Sequence, residues 1–328
     1  MSTPLLKVAD LTVRFRTEKG TIAAVNGINL ELQRGQVLGV IGESGSGKSV
    51  TLRALLGILP PRKTQISGAI TLDGRNVLSL TKRELSKYRG GEVSMIFQEP
   101  ATALDPVFTI GQQITETVMR HGATTKAKAR ARALEMLDLV KIPDARSRID
   151  NYPHELSGGM RQRAMIALAL STGPKLLLAD EPTTALDATV QIQVILLLRE
   201  LQRELGMATI FVTHDVGVAA EISDRIAVMY AGRIVETGTA SDVLKTPRHP
   251  YTNGLLTSTV IGARRGETID CIAGMPPDLA AMPQGCAFAP RCPLATTECT
   301  AAVPMLKKSG ADQFVACIRQ EADGRHAA

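Results

Sequence analysis

Residues 42–49 read Gly42-Glu43-Ser44-Gly45-Ser46-Gly47-Lys48-Ser49. Upstream, Gln36-Val37-Leu38-Gly39-Val40-Ile41 is a short, β-branched apolar run that predicts a buried strand. Downstream, Val50-Thr51-Leu52-Arg53-Ala54-Leu55-Leu56 predicts the first turns of a helix. The loop therefore joins strand to helix, the setting that the pattern G-x-x-x-x-G-K-S/T requires. Glycines let the backbone bend without Cβ clashes and aim successive N–H groups inward. The helix that follows points the positive end of its dipole at the same place. Together these make a cradle for a polyphosphate. Lys48 would reach the β/γ-phosphates and the Ser49 hydroxyl would hold Mg²⁺. The bland alternative, a flexible surface loop, does not account for both flanks.

The remaining strand signals are consistent with an α/β chain that also carries antiparallel strands. Leu6 to Phe15 alternates apolar and polar residues, and Thr21 to Leu32 is a second such run. Ser67 to Gly74 looks like a strand ending in an Asp-Gly turn. Val93 to Phe97, Leu176 to Asp180, Thr209 to Thr213 and Arg225 to Met229 are apolar enough to be interior. From about Thr102 to Asn151 the pattern is helical, with Ala133, Leu134, Leu137 and Val140 on one stripe. Gln191 to Leu205 is also helical. Beyond about Pro247, Pro and Cys become frequent and periodicity fades, which suggests a separate C-terminal extension.

The 328 residues suffice for one large domain with an appendage or for two domains. The formal charge is +6 and is not gathered into a long basic run; aromatics make up 3% and Trp is absent. That composition argues mildly against a base-stacking nucleic-acid platform. The N-terminus lacks a basic segment followed by an apolar one, so no signal peptide is expected. No apolar run approaches the roughly 18–20 residues needed to span a bilayer. A soluble, cytosolic protein is expected, and its five cysteines are not read first as disulfides.

Three further elements fall in order. Asp180 closes an apolar strand, where an Asp in a phosphate-loop protein suits Mg²⁺ held through water. Glu181, one residue later, is placed to polarise a water for attack on the γ-phosphate. Leu156-Ser157-Gly158-Gly159-Met160 precedes an Ala- and Met-rich helix, and so forms a second anion cradle.

The order GESGSGKS, Gln98, LSGGM, LLLADE, Ala185-Leu186-Asp187 and His214 resembles the ATP-binding subunit of ABC transporters over about residues 5–245. The resemblance implies a RecA-like phosphate-loop ATPase core of ABC type with an antiparallel β part. A helical subdomain at about 102–160 is inserted into residues 1–245, and a small Cys-containing extension follows at 246–328. It also implies that ATP is sandwiched between the phosphate loop of one subunit and the Ser-Gly-Gly helix of another, head to tail. By motif position, Gly42, Ser44, Gly45, Ser46, Gly47, Lys48, Ser49 and Val50 would wrap the phosphates, and Phe15 would stack on adenine. Ser49, Gln98 and Asp180 would hold Mg²⁺. Gln98 would also contact the attacking water and couple the site to the helical insertion. Ser157, Gly158 and Gly159 would touch the partner's γ-phosphate, and Asp187 would cross the seam. Glu181 is the implied base, with His214, Lys48 and Gln98 as its catalytic companions. Met160 stands where the family often has Gln.

Pro247-Arg248-His249-Pro250-Tyr251-Thr252 and Gly285-Cys286-Ala287-Phe288-Ala289-Pro290-Arg291-Cys292-Pro293 resemble stretches of the dipeptide/oligopeptide (and nickel) importer branch. That branch implies a related but different ATPase as partner in a heterodimer, two membrane permeases and an extracytoplasmic solute-binding protein. It places the chain peripherally on the cytoplasmic face of the inner membrane, importing di- or oligopeptides. Cys286, Cys292, Cys299 and Cys317 are separated by five, six and seventeen residues. This spacing lacks the C-x₂-C knuckle typical of structural zinc. A metal staple, a 4Fe–4S cluster by resemblance or else zinc, stands beside ordinary free thiols; Cys271 stands apart. The rival class is a soluble ABC ATPase acting on DNA or ribosomes, which would bring long insertions or tandem cassettes. A non-catalytic regulatory subunit would lack a motif residue, and none is missing.

Overall fold

The computed structural model describes residues 3–18, 20–122, 124–184, 186–258 and 271–319. Ala185 and the parts of the C-terminal region at 259–270 and 320–328 lie outside the described residues. The strands begin with β1 (Leu6–Thr17), β2 (Gly20–Leu32), β3 (Val37–Ile41), β4 (Thr64–Leu72) and β5 (Arg75–Asn76). The middle of the chain adds β6 (Val93–Ile96), β7 (Leu176–Asp180) and β8 (Ala208–Thr213). The last are β9 (Arg225–Tyr230), β10 (Arg233–Thr239), β11 (Lys307–Lys308) and β12 (Phe314–Val315).

Two compact units divide the chain: one holds Gln33–Gln36 and Val77–Phe211, the other Pro4–Leu32, Val37–Asn76 and the chain from Val212 onward. In the first, β6 pairs in parallel with β7, and every residue of both strands is buried. That explains why, apart from Ser94 and the terminal Asp180, both are apolar, since a strand covered on both faces needs no alternation. The helix Gly158–Leu170 packs on β6, and Ile110–His121 and Lys126–Leu139 pack on that helix and on each other. The first starts on a reciprocal cap: Gln112 N–H donates to the Thr109 hydroxyl at 3.3 Å, and Thr109 N–H to the Gln112 amide oxygen at 2.9 Å. The buried stripe of Lys126–Leu139 runs Ala129, Ala133, Met136 and Leu137, and Leu134 is only half-buried. The long helix Ala188–Leu205 starts three residues before the expected Gln191. Asp187 caps it, accepting from Val190 N–H at 3.0 Å. It stops at Gly206, whose φ of 61° suits a residue without Cβ.

The second unit contains an antiparallel sheet in the order β2-β1-β4-β5 and a run of strands ordered β11-β12-β10-β9-β3. β4 ends at Leu72 in the expected turn, with Asp73 and Gly74 both at positive φ. β9 and β10 form a hairpin through Ala231 and Gly232, also both at positive φ. β3 pairs in parallel with β9. The region beyond Pro247 is less regular, yet it lies in this unit. Val315 pairs with Glu236 on β10, and Ala316 N–H donates to the Val235 carbonyl at 2.8 Å. Tyr251 and Phe288 join Ile41, Val228 and Tyr230 in one buried cluster. The chain has only four Tyr and six Phe, so three rings meeting here mark a concentrated core. Tyr230 and Tyr251 centroids are 4.5 Å apart, and Phe288 meets Tyr230 edge-on at 5.3 Å. Beneath the rings, buried Glu236 accepts from the N–H groups of Arg248 and His249 at 2.8 and 2.9 Å and from Gln313 Nε2 at 2.7 Å. Burial raises the Glu236 pKa and lowers that of His249 to about 4.

Because Phe288 is 2% exposed among these rings, Phe288→Ala is expected to cost about 3–5 kcal/mol. Denaturant unfolding checks it; a cost below about 1 kcal/mol would show that the cysteine-bearing region contributes little to this core.

Candidate active site

The phosphate loop leaves the end of β3 and closes at the helix Lys48–Leu55. Two of its glycines are required by close backbone approach. A Cβ on Gly42 would sit 2.2 Å from the Met229 carbonyl oxygen, and one on Gly47 would sit 2.4 Å from that of Ala24. Both have positive φ. Gly45 is different: nothing lies within 4 Å of where its Cβ would be, so it faces open space. Lys48 is buried, and its Nζ donates to the Gly42 and Glu43 carbonyls at 2.7 and 2.8 Å. The Ser46 hydroxyl is buried with no hydrogen-bond partner. Such an orphan costs free energy unless something satisfies it, and a phosphate oxygen would. Ser49 and Val50 are half-buried on the first turn of the helix, and Ser44 is exposed. In the same unit Phe15 is half-buried near the end of β1, paired with Ile22 and Thr64. His214 directly follows β8 and is exposed.

The other unit carries the remaining candidates. Asp180, 3% exposed, ends β7. Glu181 follows with φ of 46°, a left-handed conformation that turns the chain sharply off the strand. Its Oε2 accepts from Gln98 Nε2 at 3.3 Å and from the Thr184 hydroxyl at 3.0 Å. Gln98 and Glu181, 83 residues apart in sequence, are thus brought together. Thr184 is a contact that sequence reasoning missed; only its place three residues after Glu181 hints at it.

Ser157 caps the helix Gly158–Leu170, its hydroxyl accepting from Met160 N–H at 3.3 Å. Ser157 and Gly158 are exposed, and a Cβ on Gly158 would meet nothing within 4 Å. Gly159 instead packs against the helix that Asp187 caps, since a Cβ there would meet Val190 at 2.8 Å. The second cradle and Asp187 are therefore neighbours on one face, open outward.

The four clustered cysteines behave differently from the expectation. Burial pushes up the thiols of Cys286, Cys292 and Cys317, and the neighbouring thiols of the group push them further. Cys286 N–H donates to the Cys299 carbonyl at 2.8 Å, so the backbones of those two lie side by side. Among the described residues, however, no group of three or more His, Cys, Asp or Glu side chains is arranged to hold a metal ion. The iron–sulfur centre expected on Cys286, Cys292, Cys299 and Cys317 is not preformed. Nor is a zinc site, which needs donors about 2.0–2.3 Å from one point. Cys271 is exposed.

Comparison with known proteins agrees with these motifs. Residues 25–184 match the ABC transporter family, and residues 235–299 match the oligopeptide/dipeptide transporter C-terminal region. The oligopeptide transport ATP-binding protein OppD of Escherichia coli is 51% identical over 301 residues, covering 92% of this chain and 89% of that protein. A putative peptide import ATP-binding protein of Brucella melitensis is 48% identical, covering 96% of this chain and 97% of its own. Among solved structures, the ATP-binding cassette MJ0796, dimeric and bound to ADP and Pi, superposes with a TM-score of 0.64 at 30% identity. It covers 72% of this chain and 98% of MJ0796. With glycine-rich turns before two helices, Asp180 closing β7 and relatives of this extent, the chain belongs to the ATP-binding subunits of the ABC transporter family, in its oligopeptide/dipeptide branch.

Proposed function

We propose that this chain is the ATP-hydrolysing subunit that energises import of di- or oligopeptides through a membrane ABC transporter. One observation carries the hydrolytic reading: Gln98 and Thr184 converge on the Glu181 carboxylate at the end of β7. Glu181 is the general base, oriented by those two donors to take a proton from the attacking water. Lys48 and the N–H groups from Gly42 to Val50 bind the triphosphate. Lys48 leaves its two carbonyl partners for the phosphate oxygens. Phe15 stacks on adenine and His214 binds the γ-phosphate. Ser49, Gln98 and Asp180 would hold Mg²⁺, which supplies charge neutralisation during phosphoryl transfer. The transfer is mostly positioning and electrostatics.

The importing direction and the peptide cargo rest on the relatives and on the C-terminal match. The same match disfavours the rival reading, an ATPase acting on DNA or ribosomes. No helix among the described residues is long and apolar enough to cross a membrane. By its branch resemblance, the chain sits peripherally on the cytoplasmic face of the inner membrane, beneath two permeases fed by a solute-binding protein. Phe108 and Met119 are 48% and 43% exposed beside Arg120 and Lys126 in a groove of the helical insertion, a surface suited to a permease. Residues 1–245 form the ATPase domain and 246–328 the branch-specific addition. Ser157, Gly158, Gly159 and Asp187 complete the ATP site of a related but different ATPase subunit packed head to tail.

Cys286, Cys292, Cys299 and Cys317 are the candidate ligands of a 4Fe–4S cluster, a reading that rests on the branch resemblance. Loading would require the loops to draw them together. Transporter purified without oxygen is expected to carry about four iron and four sulfide per chain, lost in Cys292→Ser. Iron-free protein in which all five thiols of the chain titrate would remove the cluster.

Glu181→Gln in the assembled transporter is expected to bind ATP normally and to slow turnover by ~10²–10⁴-fold. Near-normal turnover of that variant would refute the assignment of the base.

A further inference from the structure

Glu43 is an acid inside an anion cradle. Its carboxylate belongs to the same turn as Ser44, Gly45 and Ser46, where a triphosphate carrying several negative charges is to bind. Left alone it would repel that ligand. The structure gives it a partner 248 residues later in the chain. Arg291 meets it as a two-pronged fork, Nη1 to Oε2 at 2.7 Å and Nη2 to Oε1 at 3.0 Å. The Arg291 side chain is 4% exposed and that of Glu43 27%, so solvent screens the pair weakly. Paired geometry of this kind is the strong form of the charge-assisted hydrogen bond.

The guanidinium is itself held in place. Its Nε donates to the Ala273 carbonyl at 2.9 Å, and its Nη1 also reaches the Tyr230 hydroxyl at 3.3 Å. It lies 5.8 and 5.9 Å from the ring centroids of Tyr230 and Phe288. The Glu43 backbone is gripped from the same region, its N–H donating to the Tyr251 hydroxyl at 2.8 Å. Pro276, Pro277 and Leu279 line a small cleft together with Glu43, Ser44, Gly45 and Ser46. The turn that carries Arg291 is closed by two of the clustered cysteines: Ala289 N–H donates to the Cys286 carbonyl and Cys292 N–H to the Ala289 carbonyl, at 3.0 and 3.3 Å. A positive charge from the cysteine-bearing region is thus built into the phosphate loop.

We propose that Arg291 is a positioning residue for nucleotide binding, neutralising the Glu43 carboxylate so that the glycine cradle offers the triphosphate no opposing charge. The region beyond Pro247 thereby sets the ATP affinity of the loop. This rests on the reading of residues 42–49 as the ATP cradle, and Lys48→Ala tests that reading separately.

The experiment measures binding of a fluorescent ATP analogue with Mg²⁺, and steady-state ATPase, on the assembled transporter. Arg291→Ala is expected to weaken binding roughly tenfold, the effect of one unpaired charge about 10 Å away at an effective dielectric near 20. The turnover number at saturating ATP should stay within about twofold, because affinity and not the chemical step is altered. Adding Glu43→Gln to Arg291→Ala should recover affinity to within about threefold of the parent, a rescue that a merely structural role would not give. Arg291→Lys keeps the charge and should bind nearly as the parent does. If Arg291→Ala does not assemble, Arg291→Gln with and without Glu43→Gln is read in its place. Unchanged affinity in the Arg291 variants, or no rescue by Glu43→Gln, overturns the proposal provided Lys48→Ala abolishes binding. Normal binding by Lys48→Ala would instead overturn the cradle reading.

Discussion

Everything in this molecule depends on a turn that has no room for side chains. The Met229 and Ala24 carbonyl oxygens press so closely on Gly42 and Gly47 that a methyl group at either would displace backbone. Those carbonyls belong to strands, and strands in register do not move aside. The loop is therefore held in shape by the strands around it, so a ligand that binds there meets a turn already formed. A fixed array of donors is what distinguishes an anion site from a flexible glycine loop. Lys48, buried and bridging two loop carbonyls, adds a cation to the same array.

The rigidity extends through the C-terminal region. Tyr251 and Arg291 hold Glu43 by backbone and side chain, and both are braced by the ring cluster around Tyr230 and Phe288. Glu236, buried without a counter-charge among its contacts named above, holds the chain at Arg248 and His249 just before Tyr251. A region poor in regular structure is thus ordered by a few side chains of high consequence. The short strand β12 ties its far end to β10.

Much of this was legible in the sequence. Apolar runs such as Leu176–Asp180 and Thr209–Thr213 can only be interior strands, and Gly-rich stretches before helices announce anion cradles. Glu181 and Gln98 followed from motif order, and the structure joins them by a hydrogen bond. Other features were invisible. β10 was missed because buried Glu236 breaks the apolar pattern, and the helix Lys82–Gly91 because it buries little besides Tyr88. Arg291 and Tyr251 stood in stretches singled out only by resemblance. Nothing local to either reveals a partner some two hundred residues away, since long-range pairing leaves no periodic trace. The cysteines are the converse case: they cluster in sequence, while among the described residues no group of three or more is arranged to hold a metal ion.

The two cradles are the deepest consequence of the chain's organisation. Ser157 and Gly158 face outward with space before them, and a triphosphate on the phosphate loop needs donors on its far side for hydrolysis. On the proposed head-to-tail reading, one subunit holds two half-sites and completes neither. The most direct measurement is the ATPase rate per chain as this protein is titrated with its companion ATPase subunit and the permeases. A rate that is negligible at high dilution, rises with companion concentration and saturates is expected. A full rate that is independent of dilution and of any companion would contradict the account.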